Sequence, residues 1–554
     1  MTEISKKQPQ HWIDKLTNDI IENWQDVEDF NCNCGISVSG QIHAGNLRGE
    51  IVLTNAVVNE LKNKGFNAKH TLILYTSDRF KGKPGQLNLF SDPEKAKQYI
   101  NRRYIDIPSP TNKHETWVDY HLNNLAIWMP KFGKNIQIVQ THELYLQERM
   151  QKAVTELINK RDAVRVILNK YRKENPFPVD WIPIDPLCEQ CNRIATTKAL
   201  EVNLDTYKVH YICNECNHEG WSDISKGKLT WRLEWLAIWY VLNIHFEPYG
   251  KDHATPGGSR DSCIEIVESV LNHRGPYGFW NEWVGYSEGR KDFGDMSGSG
   301  FIGFRPTEWL EYAEPEVLKY MYLKTPPKRR IIIGLDKIPS YIVEYDRAQR
   351  IYHGIDNFTD PSELHTIRRS YEIVFFNEVP EYRGFQLDYQ TAIILSQLVS
   401  QDEKGTDQAI QKLIATEILK DKPSKEITQH IQDRLSLARN WINSKHSPKH
   451  LQIILTEEIS SDTLSHYNEN IQKAVLDLGQ ELEGVKWTEE EIKQKMISLR
   501  EKAGISRKEM KQFFQLLYQI FLGNERGPRF APFIAALDKN WVLHRFQEFQ
   551  QMLE

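Results

Sequence analysis

Two matched cysteine pairs, Cys188-x-x-Cys191 and Cys213-x-x-Cys216, are the residues whose chemistry is easiest to name. Knuckles of this kind can close tetrahedrally around a single Zn²⁺, each supplying two thiolates. Four sulfurs leave no open position for water or substrate, so the spacing predicts a structural zinc site. Four unrelated buried cysteines would not repeat one spacing. Cys32, Cys34 and Cys263 read as packing residues, and His218, just beyond the second knuckle, as a bystander.

A second chemistry lies in Gly35-Ile36-Ser37-Val38-Ser39-Gly40-Gln41-Ile42-His43-Ala44-Gly45-Asn46, which runs on into Leu47-Arg48-Gly49-Glu50-Ile51-Val52-Leu53. The pattern predicts a buried strand that ends in a glycine turn and opens a helix. Gly40 and Gly45 carry no Cβ to keep a ligand from the backbone. The first amides of such a helix lack intrahelical partners, and its dipole favours phosphate. His43 and Asn46, three apart, can donate hydrogen bonds to phosphate oxygens from the same turn. Taken alone, His-x-Gly-Asn fits a glycine turn around a core histidine better.

The elements around these residues must hold them in place. Trp12, Ile13, Leu16, Ile20, Ile21 and Trp24 form an apolar face at helical spacing. The helix opened near Asn46 is expected to stop at Lys64-Gly65, and Lys69–Tyr75 to form the next buried strand. Strand, helix and strand in that order imply a parallel crossover, hence a doubly wound α/β sheet. The stretch from Thr76 to His114 reads as an irregular, polar insertion; Lys134–Thr141 offers another strand and Glu143–Arg172 one long helix. Beyond Lys324-Thr325-Pro326-Pro327-Lys328-Arg329-Arg330 the pattern is almost wholly helical. Lys328, Arg329 and Arg330 can meet phosphate, and fit a solvated charge cluster equally well.

A chain of 554 residues is too long for one compact core, and two to four domains are expected. Hydrophobic content of 40% and charged content of 26% fit a soluble globular protein. No apolar run approaches a membrane span, and the polar start Met1–Gln8 lacks the apolar core of a signal peptide. Close cysteine pairs suit a metal site in a reducing compartment, so a cytoplasmic location is expected. The net charge of −5 decides nothing about nucleic acid, because a local basic surface matters more.

His43-Ala44-Gly45-Asn46 resembles the HIGH element of class I aminoacyl-tRNA synthetases, and the wider G-I-S-x-S-G-x-I-H-A-G-N-x-R string is most similar to the archaeal-type class I lysyl-tRNA synthetases. The resemblance continues in order along the chain. Asp78-Arg79-Phe80 resembles the family's acidic-arginine segment, and His114-Glu115-Thr116-Trp117 its His-Glu element. Gly250-Lys251-Asp252-His253 matches a loop at the sheet's carboxyl edge. There Asp252 can accept from a ribose hydroxyl or a substrate ammonium, and His253 can face the nucleotide; singly, Asp252 also fits a helix N-cap. Leu435–Trp441 and Gly523–Arg529 resemble the helical anticodon-binding domain.

The resemblance implies a Rossmann-like, doubly wound parallel-sheet catalytic domain over residues 1–330, with a zinc-binding insertion near 176–230. An all-α stem and anticodon-binding domain would follow over 331–554. It implies ATP, Mg²⁺ and a structural Zn²⁺ as cofactors, and tRNA and lysine as partners. His43, Asn46, Asp295, Met296, Ser297 and Ser299 would serve catalysis. Gly45, Gly250, Lys251, Asp252 and His253 would bind the nucleotide. Gly35, Ser37, Glu234, Trp235 and Asn281 would bind the amino acid.

Three substituted positions and one altered segment stand out. Asp295-Met296-Ser297-Gly298-Ser299-Gly300 occupies the place of the family's KMSKS loop, whose lysines stabilise charge on the departing pyrophosphate. Here Asp295 replaces the leading lysine and the second lysine is missing; Lys291 could substitute if the loop folds back. Gly49 stands where the family carries an acid, with Glu50 one place later, and Asn281 stands for a family aromatic. The segment Glu234–Trp239 also lacks the family's proline and arginine, although Glu234, Glu50 and Trp235 could compensate. Two functions therefore follow: a lysine–tRNA ligase, or a divergent relative that binds RNA or a ligand, or that activates another amino acid or serves another acceptor. The string Gly298-x-Gly300-x-x-Gly303 follows no evident strand and is not read as a dinucleotide fingerprint.

Overall fold

The computed structural model describes residues 10–111, 113–172, 174–256, 258–298, 300, 302–460, 466–502 and 506–554. The start Met1–Gln8 and Ser299 of the altered loop lie outside the described residues. Two compact units emerge. One comprises the chain up to Leu310 with Glu314–Gly334 and Ala348–Val379; the other comprises Glu311–Ala313, Leu335–Arg347 and Pro380–Glu554.

The first unit is built on five parallel strands: β1 (Asp29–Ile36), β2 (Asn67–Leu74), β3 (Ile136–Gln140), β4 (Phe246–Gly250) and β5 (Tyr277–Asn281). Their spatial order is β5-β4-β1-β2-β3, all neighbours parallel. The order reverses between β1 and β4, and ligands of such sheets bind outside the carboxyl ends at that point. Asp29 pairs with Asn67 and Ile36 with Leu74, so β1 stops at Ile36, where β2 ends too. The strand thus ends earlier than the sequence predicts, and Ser37–Ala44 runs on as a loop. Trp117 Nε1 donates to Val38 O at 2.7 Å, and buried Gln86 donates to Ser39 O at 2.8 Å. The Gln86 contact comes from the 76–114 segment. That segment is irregular, as expected, but it packs through Phe80, Phe90, Tyr104 and Trp117 rings instead of lying loose.

After the turn, Leu47–Leu53 forms a π-helical stretch before the α-helix Thr54–Asn63. The wider turn frees the Glu50 carbonyl from regular pairing, and buried His70 Nε2 lies 3.0 Å from it. The helix ends as expected beside Gly65, at φ +93.

The long helix expected over Glu143–Arg172 is instead Thr141–Leu144, Glu148–Asn159 and Arg161–Lys170. The apolar stripe explains the break. Val154, Leu157 and Ile158 are buried, the next helical positions are the charged Arg161 and Asp162, and burial resumes at Val164 and Ile167. Lys160 turns the chain (φ −98, ψ 24) so that both stripes reach one core.

The cysteines sit in an insertion whose strands Thr197–Asn203, Lys208–Cys213 and Glu219–Asp223 form an antiparallel sheet. The second unit is helical among its described residues, from Tyr389–Leu398 to Lys539–Leu553. Its interior holds the Arg434–Asp346 pair at 2.7 Å, with both side chains almost fully buried. No helix among the described residues is long and apolar enough to cross a membrane.

Candidate active site and cysteine centre

The carboxyl edge of the sheet carries two cavities. The larger, about 780 Å³, is lined by Gly35, Ser37, Glu50, Tyr75, Asp78, Glu234, Trp235, Glu247 and His253 among others. The smaller, about 300 Å³, is lined by His43, Gly45, Asn46, Gly49, Asn281, Asp295, Met296 and Ser297 among others. Glu50, Pro248, Tyr249 and Gly250 line both, so the two cavities share a wall.

Geometry at the smaller cavity follows from the turn. Asn46 Oδ1 accepts from His43 N at 3.2 Å and fixes the loop. Among the described residues, buried His43 Nδ1 finds no hydrogen-bond partner, an orphaned polar atom that fits a ligand. Burial lowers the His43 pKa to about 4, so the imidazole is neutral at physiological pH. A Cβ on Gly45 would lie 2.8 Å from His43 Nδ1 and 3.3 Å from Met296 Cβ. Only glycine lets the ring and the second loop close on the turn there. A Cβ on Gly298 would likewise meet Gln41 O at 2.6 Å, so the altered loop lies directly on the His43 turn. Some amides that the sequence offers to phosphate are used locally: Asn46 N donates to His43 O, and Leu47 N to Ala44 O, both at 3.0 Å. The orphaned imidazole is therefore the stronger feature, and the helix start the weaker one.

The larger cavity is acidic but mostly neutralised from within. Buried Lys228 reaches Asp78 and Glu234, 3.0 Å from the latter. Glu247 accepts from Trp235 Nε1 at 3.1 Å and from Trp239 Nε1. Glu50 has no ionic partner among the described residues. Removal from water raises its pKa to about 8, against the smaller opposing effect of the Asn46 amide. Trp231, Trp235 and His253 gather with ring centroids 5.3 to 5.8 Å apart.

The other sequence candidates fall around this frame. Gly35, Ser37, Glu234, Trp235 and His253 line the larger cavity. Asn281 lies on the smaller cavity beside Gly49, where an added Cβ would meet Asn281 Oδ1 at 3.0 Å. Two of the three substituted positions are thus neighbours. Gly250 lines both cavities; Lys251 and Asp252 follow it in a short 3₁₀ turn whose N-cap is Gly250, not Asp252. His114, with Asn123 Nδ2 at 3.2 Å, sits at the surface near the start of helix Trp117–Phe132, outside both cavities. Lys291 lies over the Phe293 ring at 4.5 Å, at the exposed start of its strand, and does not fold back. The strand Lys291–Asp295 does precede Gly298, contrary to expectation. It pairs antiparallel with Val284–Glu288, however, which still excludes a βαβ fingerprint.

Sequence reasoning missed Lys228 and Glu247. An acid inside the apolar strand Phe246-Glu247-Pro248 was a usable signal; Lys228 had none. It also missed the work of Arg48. That buried guanidinium donates to Glu282 O (3.0 Å), Pro326 O (3.1 Å) and Arg329 O (2.8 Å), clamping two distant segments behind the smaller cavity.

The four cysteines converge as the spacing requires, their sulfurs within 4.8 Å of one another. Cys188–Cys216 at 3.6 Å and Cys191–Cys213 at 3.8 Å lie within about 0.2 Å of the tetrahedron edge, about 3.8 Å, set by Zn–S bonds of about 2.3 Å. Asn192 and Asn217, each just after a second cysteine, adopt left-handed φ of 55 and 57 and turn both knuckles alike. Cys32, Cys34 and Cys263 are buried in packing, as expected, and His218 lies tilted against Tyr211 with ring centroids 6.0 Å apart.

A sequence profile described as tRNA synthetases class I (K) matches residues 10–376. The chain belongs to this family. A lysine–tRNA ligase of Aeropyrum pernix is 37% identical over 548 residues, covering 98% of each chain. One from Pyrococcus horikoshii is 30% identical over 544 residues, covering 97% of this chain and 99% of its own. Among solved structures, a glutamate tRNA ligase from Elizabethkingia meningosepticum aligns with 95% of this chain and 100% of its own at 13% identity and a TM-score of 0.37. Membership of the synthetase family accounts for a sheet whose switch point carries two adjoining cavities.

Proposed function

We propose that the chain is a lysine–tRNA ligase, joining lysine and ATP to an adenylate and passing the aminoacyl group to tRNA. The supporting observation is the orphaned His43 imidazole on a cavity that shares Glu50 with an acidic neighbour. ATP would lie along the smaller cavity against His43, Asn46 and Gly45, and Gly250 to His253 would close the shared wall. Magnesium would arrive on the triphosphate and spread its charge. No cluster of three or more possible ligands other than the cysteines exists among the described residues to hold such an ion alone. His43 and Asn46 would hold the α-phosphate, and no covalent enzyme intermediate is required, so positioning and charge stabilisation carry the rate.

Lysine would occupy the larger cavity, its ammonium drawn to Glu50 and the Trp235 ring, with Gly35 and Ser37 along the backbone side. The cysteine knuckles would hold zinc structurally. Residues 331–554 would supply the stem and the anticodon-binding surface for tRNA. A cytoplasmic location agrees with close cysteine pairs gathered as a metal site instead of disulfides.

A second reading, a relative that activates lysine poorly or serves another amino acid or acceptor, is favoured by Asp295, Gly49 and Asn281. Amino-acid-dependent exchange of pyrophosphate into ATP, run over all standard amino acids, separates them. Lysine-stimulated exchange supports the ligase; stimulation by another amino acid, or silence with intact tRNA binding, supports the second reading.

Glu50 gives a pH prediction. With its pKa near 8 it is mostly protonated at neutral pH, yet an ammonium needs the carboxylate. Lysine binding at pH 7 should therefore release close to one proton, and affinity should rise with pH until Glu50 has ionised. Calorimetry in buffers of different ionisation enthalpy measures this. Glu50→Gln should abolish both the release and the pH dependence.

A further inference from the structure

The smaller cavity poses an electrostatic problem for a triphosphate. Its described walls carry one carboxylate, Asp295, and the mostly protonated Glu50, but neither lysine nor arginine. The His43 ring adds no charge. Among the described residues, Asp295 brings two cations to this wall, and Arg260 stands behind it, 4.5 Å from the Tyr249 ring. Arg330 Nε donates to Asp295 Oδ1 at 2.8 Å, and Lys251 Nζ lies 3.7 Å from Oδ2.

Arg330 is held from several sides. Its Nη1 donates to Asp292 at 2.8 Å. The carbonyls of Pro326 and Arg329, just before it, are fixed by Arg48. A Cβ on Gly285 would stand 2.5 Å from Arg330 Nη2, so a glycine there gives the guanidinium its path across the strand. Its Nη2 also donates to Asp292 at 3.3 Å, and the side chain stays 31% exposed behind Asp295. Lys251 Nζ lies 5.0 Å over the Trp283 ring, which is itself a cavity wall, and pairs with Glu282.

From these contacts we infer that Arg330 supplies the positive charge that the Asp295–Gly300 loop lacks, with Lys251 beside it and Asp295 as the positioning residue. The inference rests on the adenylate-forming reading above. In that step a carboxylate oxygen of the amino acid bonds to the α-phosphorus. The bond from that phosphorus to the bridging oxygen of the β-phosphate breaks, and its electron pair leaves with pyrophosphate. The new negative charge develops on the group that Arg330 and Lys251 attend, where fixed cations stabilise the transition state. An acid in place of a lysine then becomes coherent: Asp295 does not face the phosphates unscreened, but gathers two cations from other segments.

The test uses the full chain with Arg330→Ala, Arg330→Lys and Asp295→Asn, measuring ATP and AMP binding by calorimetry and lysine-dependent pyrophosphate exchange. Arg330→Ala should lower the exchange kcat about a hundredfold, the scale for one lost charge-stabilising donor. It should weaken ATP while leaving AMP unchanged; intact AMP binding also shows that the variant is folded. Arg330→Lys should recover part of both losses, and it carries the test if the alanine variant does not fold. Asp295→Asn should act in the same direction, less strongly, because Asp292 still holds the guanidinium. An Asp295→Asn enzyme that binds ATP more tightly or turns over faster overturns the inference, as does an Arg330→Ala chain with an unchanged ratio of ATP to AMP affinity. If the wild-type chain exchanges pyrophosphate with no amino acid, the ligase reading fails, and the ATP-to-AMP comparison still decides the role of Arg330.

Discussion

Replacing His43 with alanine is expected to slow adenylate formation by two to three orders of magnitude, a barrier increase of about 2.7–4 kcal/mol. The expectation rests on a neutral ring fixed in place before any ligand arrives. Its Nδ1 is buried and unpaired among the described residues, and the ring packs against Gly45, where even a Cβ would crowd it at 2.8 Å. A donor held this way needs no reorganisation as charge builds on the α-phosphate. His43→Asn, which keeps a donor, should recover part of the loss. Because burial places the imidazole pKa near 4, its titration should not shape the rate between pH 5 and 8. Single-turnover adenylate formation measures the effect. A rate unchanged in His43→Ala removes the imidazole from the mechanism.

Loss of one knuckle thiolate should have the second large effect, on stability. Around the knuckles the buried cluster is only Cys188, Tyr211 and Cys213, with Cys191 packed against it; Ala199, Val209 and Ile224 of the same insertion join the main core instead. Zinc binding in small isolated domains is worth on the order of 10 kcal/mol of apparent free energy, and there it serves as folding energy. Cys213→Ala should therefore abolish bound zinc and strip exchange protection from Lys208–Cys213 and its neighbouring strands. Protection in β1 and β2 should persist, since those strands draw on the main sheet. Hydrogen exchange with metal analysis reads both, and full protection in a zinc-free variant contradicts a structural role.

Much of the fold was legible because its signals are local. Matched knuckles, the glycine turn and the Lys64-Gly65 helix stop each depend on a few adjacent residues, and the described structure carries all three. The Glu143–Arg172 helix was misjudged for the opposite reason. Its average pattern is helical throughout, and only the polar gap at Arg161-Asp162 marks the turn. The site was legible in part. Residues on one loop, such as His43, Asn46 and Gly45, share a motif in the sequence and line one cavity in the structure.

Partners far apart in sequence do not. Asp295 looked like a defect when read along the chain, and its meaning changes once Arg330 and Lys251 are seen on its carboxylate. Lys228 filling the acids of the larger cavity is a tertiary fact with no sequence pattern behind it. The π-helical stretch over Leu47–Leu53 is likewise set by contacts from another strand, His70 meeting the Glu50 carbonyl.

The central claim is that one molecule of lysyl-adenylate spans both cavities across the wall of Glu50, Tyr249 and Gly250. Titration calorimetry with a non-hydrolysable lysyl-adenylate analogue tests it most directly. The account predicts one site per chain and binding at least about a hundredfold tighter than ATP or lysine alone, as expected for a ligand that resembles the reaction's high-energy state. Binding no tighter than that of ATP, or no measurable heat from well-folded protein, contradicts it.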